Sequence, residues 1–193
     1  MDKKGFSLGE IEAVLGNMLR IDPTKRATFS ARLQQLQRMG LPRGANPGRG
    51  KRFRYAFWQV ADFALCVDLL DAGVPPNLIK THFGADGVYS LGGMGAIIER
   101  REPSNEEGRY MFLRLRALEY LRSSSADVQS EHAADAEMKF ANGVDELLKA
   151  SSATPVIVIN LSKRLADLKR SVSEVMPSHI SEATFLEAGD GHG

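Results

Sequence analysis

Residues 27–55 read ATFSARLQQLQRMGLPRGANPGRGKRFRY. Phe29, Leu33, Leu36 and Gly40 recur at helical spacing, which predicts a helix with one apolar stripe. Met39-Gly40-Leu41-Pro42 predicts its end, because glycine adopts positive φ and proline cannot continue a helix. Arg43 to Lys51 is basic and broken by Gly44, Gly48 and Gly50, a composition too hydrophilic for a core. Arg52-Phe53-Arg54-Tyr55 then alternates cations with aromatics, as a half-buried strand does. Helix, sharp stop, flexible basic loop and short strand follow one another here without a gap.

Upstream, Ser7 and Glu10 have capping-box spacing. They open a first helix whose stripe is Leu8, Ile11, Leu15 and Leu19 and which runs to about Arg20. Asp22-Pro23 is a second start signal, so the next helix begins either there or near Thr28. Its apolar stripe is expected to pack on the first helix. Its outward face then carries Thr28, Ala31, Gln34, Gln35 and Arg38, with Arg32 at the flank. Glutamine bonds adenine in a bidentate way, and arginine does the same with guanine. Arg43, Arg49, Lys51, Arg52 and Arg54 add five cations around glycines that allow close backbone approach. Contacts of this kind to phosphates position a protein on a duplex and supply much of its affinity. Two helices followed by a basic β-wing form the layout of a winged helix-turn-helix. The expected DNA-contacting set is therefore Thr28, Arg32, Gln34, Gln35, Arg38, Arg43, Arg49, Lys51, Arg52 and Arg54. A solvated helix face and a loop kept soluble by charge are the plainer alternatives.

Charge is distributed to match. Residues 1–60 hold twelve Lys/Arg against four Asp/Glu, a net +8, whereas residues 61–193 are net −7, leaving +1 for all 193 residues. A basic third on an acidic remainder suits a polyanionic partner at one end of the chain.

Phe57 to Ala72 is apolar nearly all round, with Phe57, Trp58, Val60, Phe63, Leu65, Val67, Leu69 and Leu70, and so predicts a helix buried on several sides. Gly73-Val74-Pro75-Pro76 ends it and opens a shorter helix, Asn77 to Phe83. Residues 7–80 resemble the N-terminal domain of MerR-type winged-helix regulators. That family has a glycine–leucine stop after the recognition helix, an aromatic–Arg–aromatic wing strand, and a long apolar helix that ends in Leu-x-x-x-Gly before a new helix. The matching stretches are Met39-Gly40-Leu41-Pro42, Phe53-Arg54-Tyr55, and Trp58 to Leu70 with Asp71 to Pro76. Leu33-Gln34-Gln35 stands where the family usually has paired tyrosines. The resemblance implies a homodimeric transcription regulator of the bacterial cytoplasm, bound to double-stranded DNA at a palindromic or spaced operator. An excisionase-like architectural factor and a winged-helix protein-interaction adaptor are the competing readings.

The remainder predicts a small mixed α/β region. Leu91 to Ala96 is glycine-rich but matches no phosphate-loop pattern, so a turn between strands is expected. Arg109 to Leu118 alternates as a strand does. Ser123 to Ala134 has a linker's composition. Ala136 to Ala150 predicts a helix, with Phe140, Val144, Leu147 and Leu148 on one side. Val156 to Ile159 is a β-branched strand expected to pair with Arg109–Leu118. Asn160 or Ser162 caps a last helix whose Leu161, Leu165, Leu168, Val172 and Val175 have the spacing of a coiled-coil seam. That seam suits either a dimer or packing onto its own domain. Residues 178–193 have the composition of a free tail. The whole is α+β and mainly α, with expected regions 1–80 for DNA binding, 81–176 for dimerisation or sensing, and a tail from 177.

Catalytic chemistry has no visible carrier. Cys66 is the one cysteine, inside an apolar helix, and the four histidines lack metal-ligand spacing, so no enzyme activity, metal or cofactor is expected. No apolar run is long enough to span a membrane, and residues 1–5 precede no apolar segment of the secretory kind.

Overall fold

A computed structural model describes residues 5–41, 53–83, 109–115, 136–141 and 156–179. Its elements are α1 (Leu8–Met18), α2 (Arg26–Arg38), α3 (Phe57–Asp71), α4 (Pro76–Phe83), β1 (Tyr110–Leu115), β2 (Ala136–Ala141), β3 (Ile157–Asn160) and α5 (Leu161–Val175). Short 3-10 turns cover Pro23–Lys25 and Pro177–His179. The described part is thus α+β and mainly helical. The wing loop, the glycine-rich turn at 84–108, the linker at 123–134 and the tail from 180 lie outside the described residues. The chain divides into two compact units, Met1–Glu102 with Arg164–Gly193, and Pro103–Lys163. The described residues 164–179 cluster with the N-terminal unit.

Local chemistry sets the helix ends of the first unit. Ser7 Oγ accepts from Glu10 N–H, and the Glu10 carboxylate accepts from Ser7 N–H at 2.6 Å, closing the predicted capping box. Three helices share one C-terminal device, two backbone bonds wrapped around a residue at positive φ. In α2 these are Gly40 N–H to Gln37 O and Leu41 N–H to Leu36 O, with Gly40 at φ +79°. The equivalent pair in α3 is Gly73 N–H to Leu70 O and Val74 N–H to Leu69 O. For α1 the pair is Arg20 N–H to Asn17 O and Ile21 N–H to Gly16 O, and the left-handed position is held by Arg20 at φ 54°. Asp22 then caps the 3-10 turn through Thr24, and α2 starts at Arg26. The start falls between the two positions that the sequence allowed.

The stripes face inward as expected. Ile11, Val14 and Leu15 of α1 and Phe29, Leu33 and Leu36 of α2 are buried. Each such side chain contributes roughly 1.5–3 kcal/mol of transfer free energy. Helix α3 buries Phe57, Val60, Phe63, Leu65, Cys66 and Leu69, and with them Gln59, Asp62 and Asp68. The three polar residues have different solutions. Gln59 Oε1 accepts from Ala56 N–H and caps α3 from inside. Asp68 takes a two-pronged ion pair from Arg164 of α5, at 2.5 and 2.6 Å. Burial pushes its carboxyl up, an effect that Arg164 only partly offsets and that Asp71 reinforces. Asp62 Oδ1 is buried with no hydrogen-bond partner, and burial pushes its carboxyl well above the usual range.

Helix α5 is capped by Asn160, whose Oδ1 accepts from Lys163 N–H. Its expected seam is already occupied within the chain. Leu168 and Val172 are fully buried, and Ser171 between them donates to Val14 O of α1 at 2.7 Å. Asn17 of α1 donates to Ser171 and Glu174. The middle of the seam, Leu168 to Val172, thus packs within the first unit and is not free to form a coiled coil, whereas Leu165 and Val175 are half-buried.

In the second unit β1 is central and antiparallel to both β2 and β3. Its pairing with β3 agrees with expectation. The expected helix at 136–150 does not form at its start, because Ala136–Ala141 is strand β2, matched residue for residue to β1. Residues 142–150 lie outside the described part. The A-E-M-K-F-A run alternates, and pairing along all of β1 outweighs the helix preference of Ala, Glu, Met and Lys.

Two substitutions test this account. Arg20→Gly removes the steric cost of a left-handed arginine and is expected to stabilise the protein by about 1 kcal/mol in urea unfolding. Asp62→Asn is expected to raise the melting temperature near neutral pH. Asp62 has a folded-state pKa above its unfolded one, so its ionisation penalises the fold as pH climbs above about 4. The gain from Asn is therefore expected to grow with pH over that range and to vanish in acid.

Candidate nucleic-acid interface

Helix α2 contains no carboxylate, and Arg26, Arg32 and Arg38 all lie exposed on it. Thr28, Ala31, Gln34 and Gln35 are exposed as well. The buried stripe of Phe29, Leu33 and Leu36 forces this, since residues between its positions turn outward. Of the expected set, Thr28, Arg32, Gln34, Gln35 and Arg38 therefore share one solvent-facing surface. Arg43, Arg49, Lys51 and Arg52 lie outside the described residues. Arg32 and Gln35 also wall a cleft of about 260 Å³ with Leu36, Met39, Leu70 and Pro76.

Arg54, the last of the expected set, has a partner within the chain. Its Nη1 donates to Glu10 Oε2 at 2.7 Å, and both side chains are mostly covered. The same oxygen accepts from Ser7 N–H. Burial raises the Glu10 carboxyl, but the Ser7 hydrogen bonds, Arg54 and His179 outweigh it and hold the group below its ordinary value. Arg54 is thus engaged in joining α1 to the segment that leads into α3. The partner lies 44 residues away, and no local spacing signals it.

Of the expected strand at 52–55, the described residues 53–55 show one bridge, at Tyr55. Phe6 and Tyr55 exchange backbone hydrogen bonds in both directions at 2.7 Å. Gly5 makes the approach feasible, because a Cβ there would sit 2.8 Å from Tyr55 O. Phe6 meets the His179 ring at 4.9 Å and the Phe57 ring at 6.4 Å. The buried Tyr55 ring packs edge-on against Phe53 and Phe63. Gln37 of α2 donates to the Tyr55 hydroxyl at 2.5 Å. Burial raises the Tyr55 phenol, with a smaller lowering from Gln37, so the hydroxyl stays protonated at neutral pH. Gln37 escaped the sequence reading, because it lies at the flank of the stripe and looks like one more helix-forming glutamine.

Comparison with protein-family models, with curated proteins and with solved structures returned no match. Among the described residues no cluster of His, Cys, Asp and Glu could hold a metal ion. No helix among them is long and apolar enough to cross a membrane.

Glu10→Gln keeps the acceptor for Ser7 but removes the charge facing Arg54. It is expected to cost about 1 kcal/mol at neutral pH, the scale of a partly covered charged pair. Glu10 has a lowered folded pKa, so its contribution is present above the unfolded value of about 4.3 and fades as pH falls through the folded one. Unfolding curves of the two proteins are expected to converge at low pH.

Proposed function

We propose that this chain is a sequence-specific DNA-binding transcription regulator of the winged helix-turn-helix type, a divergent relative of the MerR-type proteins. In this reading α2 enters the major groove and the basic loop from Arg43 to Arg52 lies along the flanking backbone. The observation that carries it is the composition of one surface. Every outward position of α2 from Thr28 to Arg38 is small, amide-bearing, hydroxyl-bearing or cationic, and none is acidic. Arginine and glutamine are the side chains that pair bidentately with guanine and adenine. The +8 charge of residues 1–60 supports the same reading, since it favours a polyanion at this end of the chain. Arg54, engaged with Glu10, leaves the DNA-contacting set. A homodimer on a two-fold operator in the bacterial cytoplasm completes the proposal, with a dimer surface other than the buried α5 seam.

The apolar part of the cleft beside α2, formed by Leu36, Met39, Leu70 and Pro76, favours a second reading as a protein-interaction adaptor. Duplex binding separates the two. Selection of bound fragments from a random duplex pool, followed by fluorescence anisotropy across a salt series, is expected to yield a two-fold or spaced site. Affinity is expected to fall steeply with salt. Lys51→Ala/Arg52→Ala is expected to lower the log–log salt slope by about 0.9 for each phosphate that is no longer neutralised. Arg32→Ala and Arg38→Ala are expected to weaken binding to the selected site about tenfold or more. Absence of duplex binding at low salt would leave the adaptor reading in place.

A further inference from the structure

Tyr55 bonds to the flank of α2, yet it is 1% exposed and cannot itself reach a duplex. Its ring is wedged between Phe53, at 4.7 Å, and Phe63 of α3, at 5.5 Å. Its backbone is tied to Phe6 from both sides. The hydroxyl projects from this fixed point to Gln37, in the last turn of α2. Gln37 precedes Arg38 and lies one turn beyond Gln34, both on the exposed face. Phe29, Leu33 and Leu36 anchor the inner face of α2, and this hydrogen bond adds a directional tie at its flank, where it bears on the roll of the helix about its own axis. With side chains at a radius of about 5–6 Å, a roll of about 20° moves their tips by about 2 Å. Bidentate contacts tolerate only about 0.5 Å.

We infer that Tyr55 and Gln37 are positioning residues that set the roll of α2, and with it the sequence specificity of duplex binding, without touching DNA. This rests on the DNA-binding reading above. Contacts to phosphate depend chiefly on charge and are insensitive to such a roll. Loss of the hydroxyl therefore acts on discrimination between sequences and leaves general affinity unchanged.

The test compares wild type, Tyr55→Phe, Gln37→Met and the double variant. Each is titrated with the duplex selected from the random pool and with a scrambled duplex at the same salt, and melting temperatures are recorded alongside. Phenylalanine keeps the ring packing, and methionine keeps the length of Gln37 without its donor. Each single variant is expected to lower the ratio of selected to scrambled affinity by about fivefold, the equivalent of one hydrogen bond. Scrambled-duplex affinity is expected to stay within about twofold. The double variant is expected to be no worse than either single one, because both remove the same bond. An unchanged ratio in both single variants would overturn the inference while leaving DNA binding intact. An equal loss on both duplexes, accompanied by lower melting temperatures, would also overturn it by showing a purely structural role. Wild type that binds neither duplex at low salt would remove the DNA reading itself, and this inference with it.

Discussion

The backbone exchange between Phe6 and Tyr55 organises the N-terminal unit. It closes a long segment that contains α1, α2 and the basic loop, so all three are held between one pair of residues. Closing such a segment costs chain entropy that rises only slowly with its length. What opposes that cost is concentrated at the closure. Phe6 is fully buried, Tyr55 nearly so, and the two backbones satisfy each other's polar groups. Gly5 permits the contact because any side chain there would meet the Tyr55 carbonyl. The Glu10–Arg54 pair closes the same junction a second time, in side chains.

Around this closure the buried polar groups of α3 and α5 show how the unit is locked in one arrangement. Arg164 meets Asp68 through two parallel hydrogen bonds, and Ser171 meets a carbonyl of α1. Interactions like these add little net stability, since desolvation offsets most of their attraction. Misplacing α5 by one turn, however, would leave the buried Asp68 carboxylate and the buried Ser171 hydroxyl without these partners. The register of α5 on α1 and α3 is therefore set by the cost of the alternatives. Asp62 Oδ1 has no such partner, and burial opposes the ionisation of its carboxyl.

The proposed function follows from which side chains this scaffold leaves outside. The closure and the apolar stripe together turn Gln34, Gln35, Arg32 and Arg38 to solvent on a helix with no acidic residue. Arg54 shows the reverse case. In the sequence it belongs to the same run of cations as Arg52, but the fold assigns it a carboxylate. A basic residue's role depends on what the tertiary structure sets opposite it, and composition cannot supply that.

What could be read along the chain was what is decided within a few residues. The Ser7–Glu10 box, the glycine stop at Gly40, the apolar spacing of α2 and α3 and the Asn160 cap all concern hydrogen bonds or faces local to one helix. The strand nature of Ala136–Ala141, the burial of the Leu168–Val172 seam, the Glu10–Arg54 pair and the Gln37–Tyr55 bond were settled only by the tertiary structure. Each joins residues distant in sequence. Local propensity at either end is weak or points elsewhere, and the deciding free energy comes from partners that only the folded chain brings together.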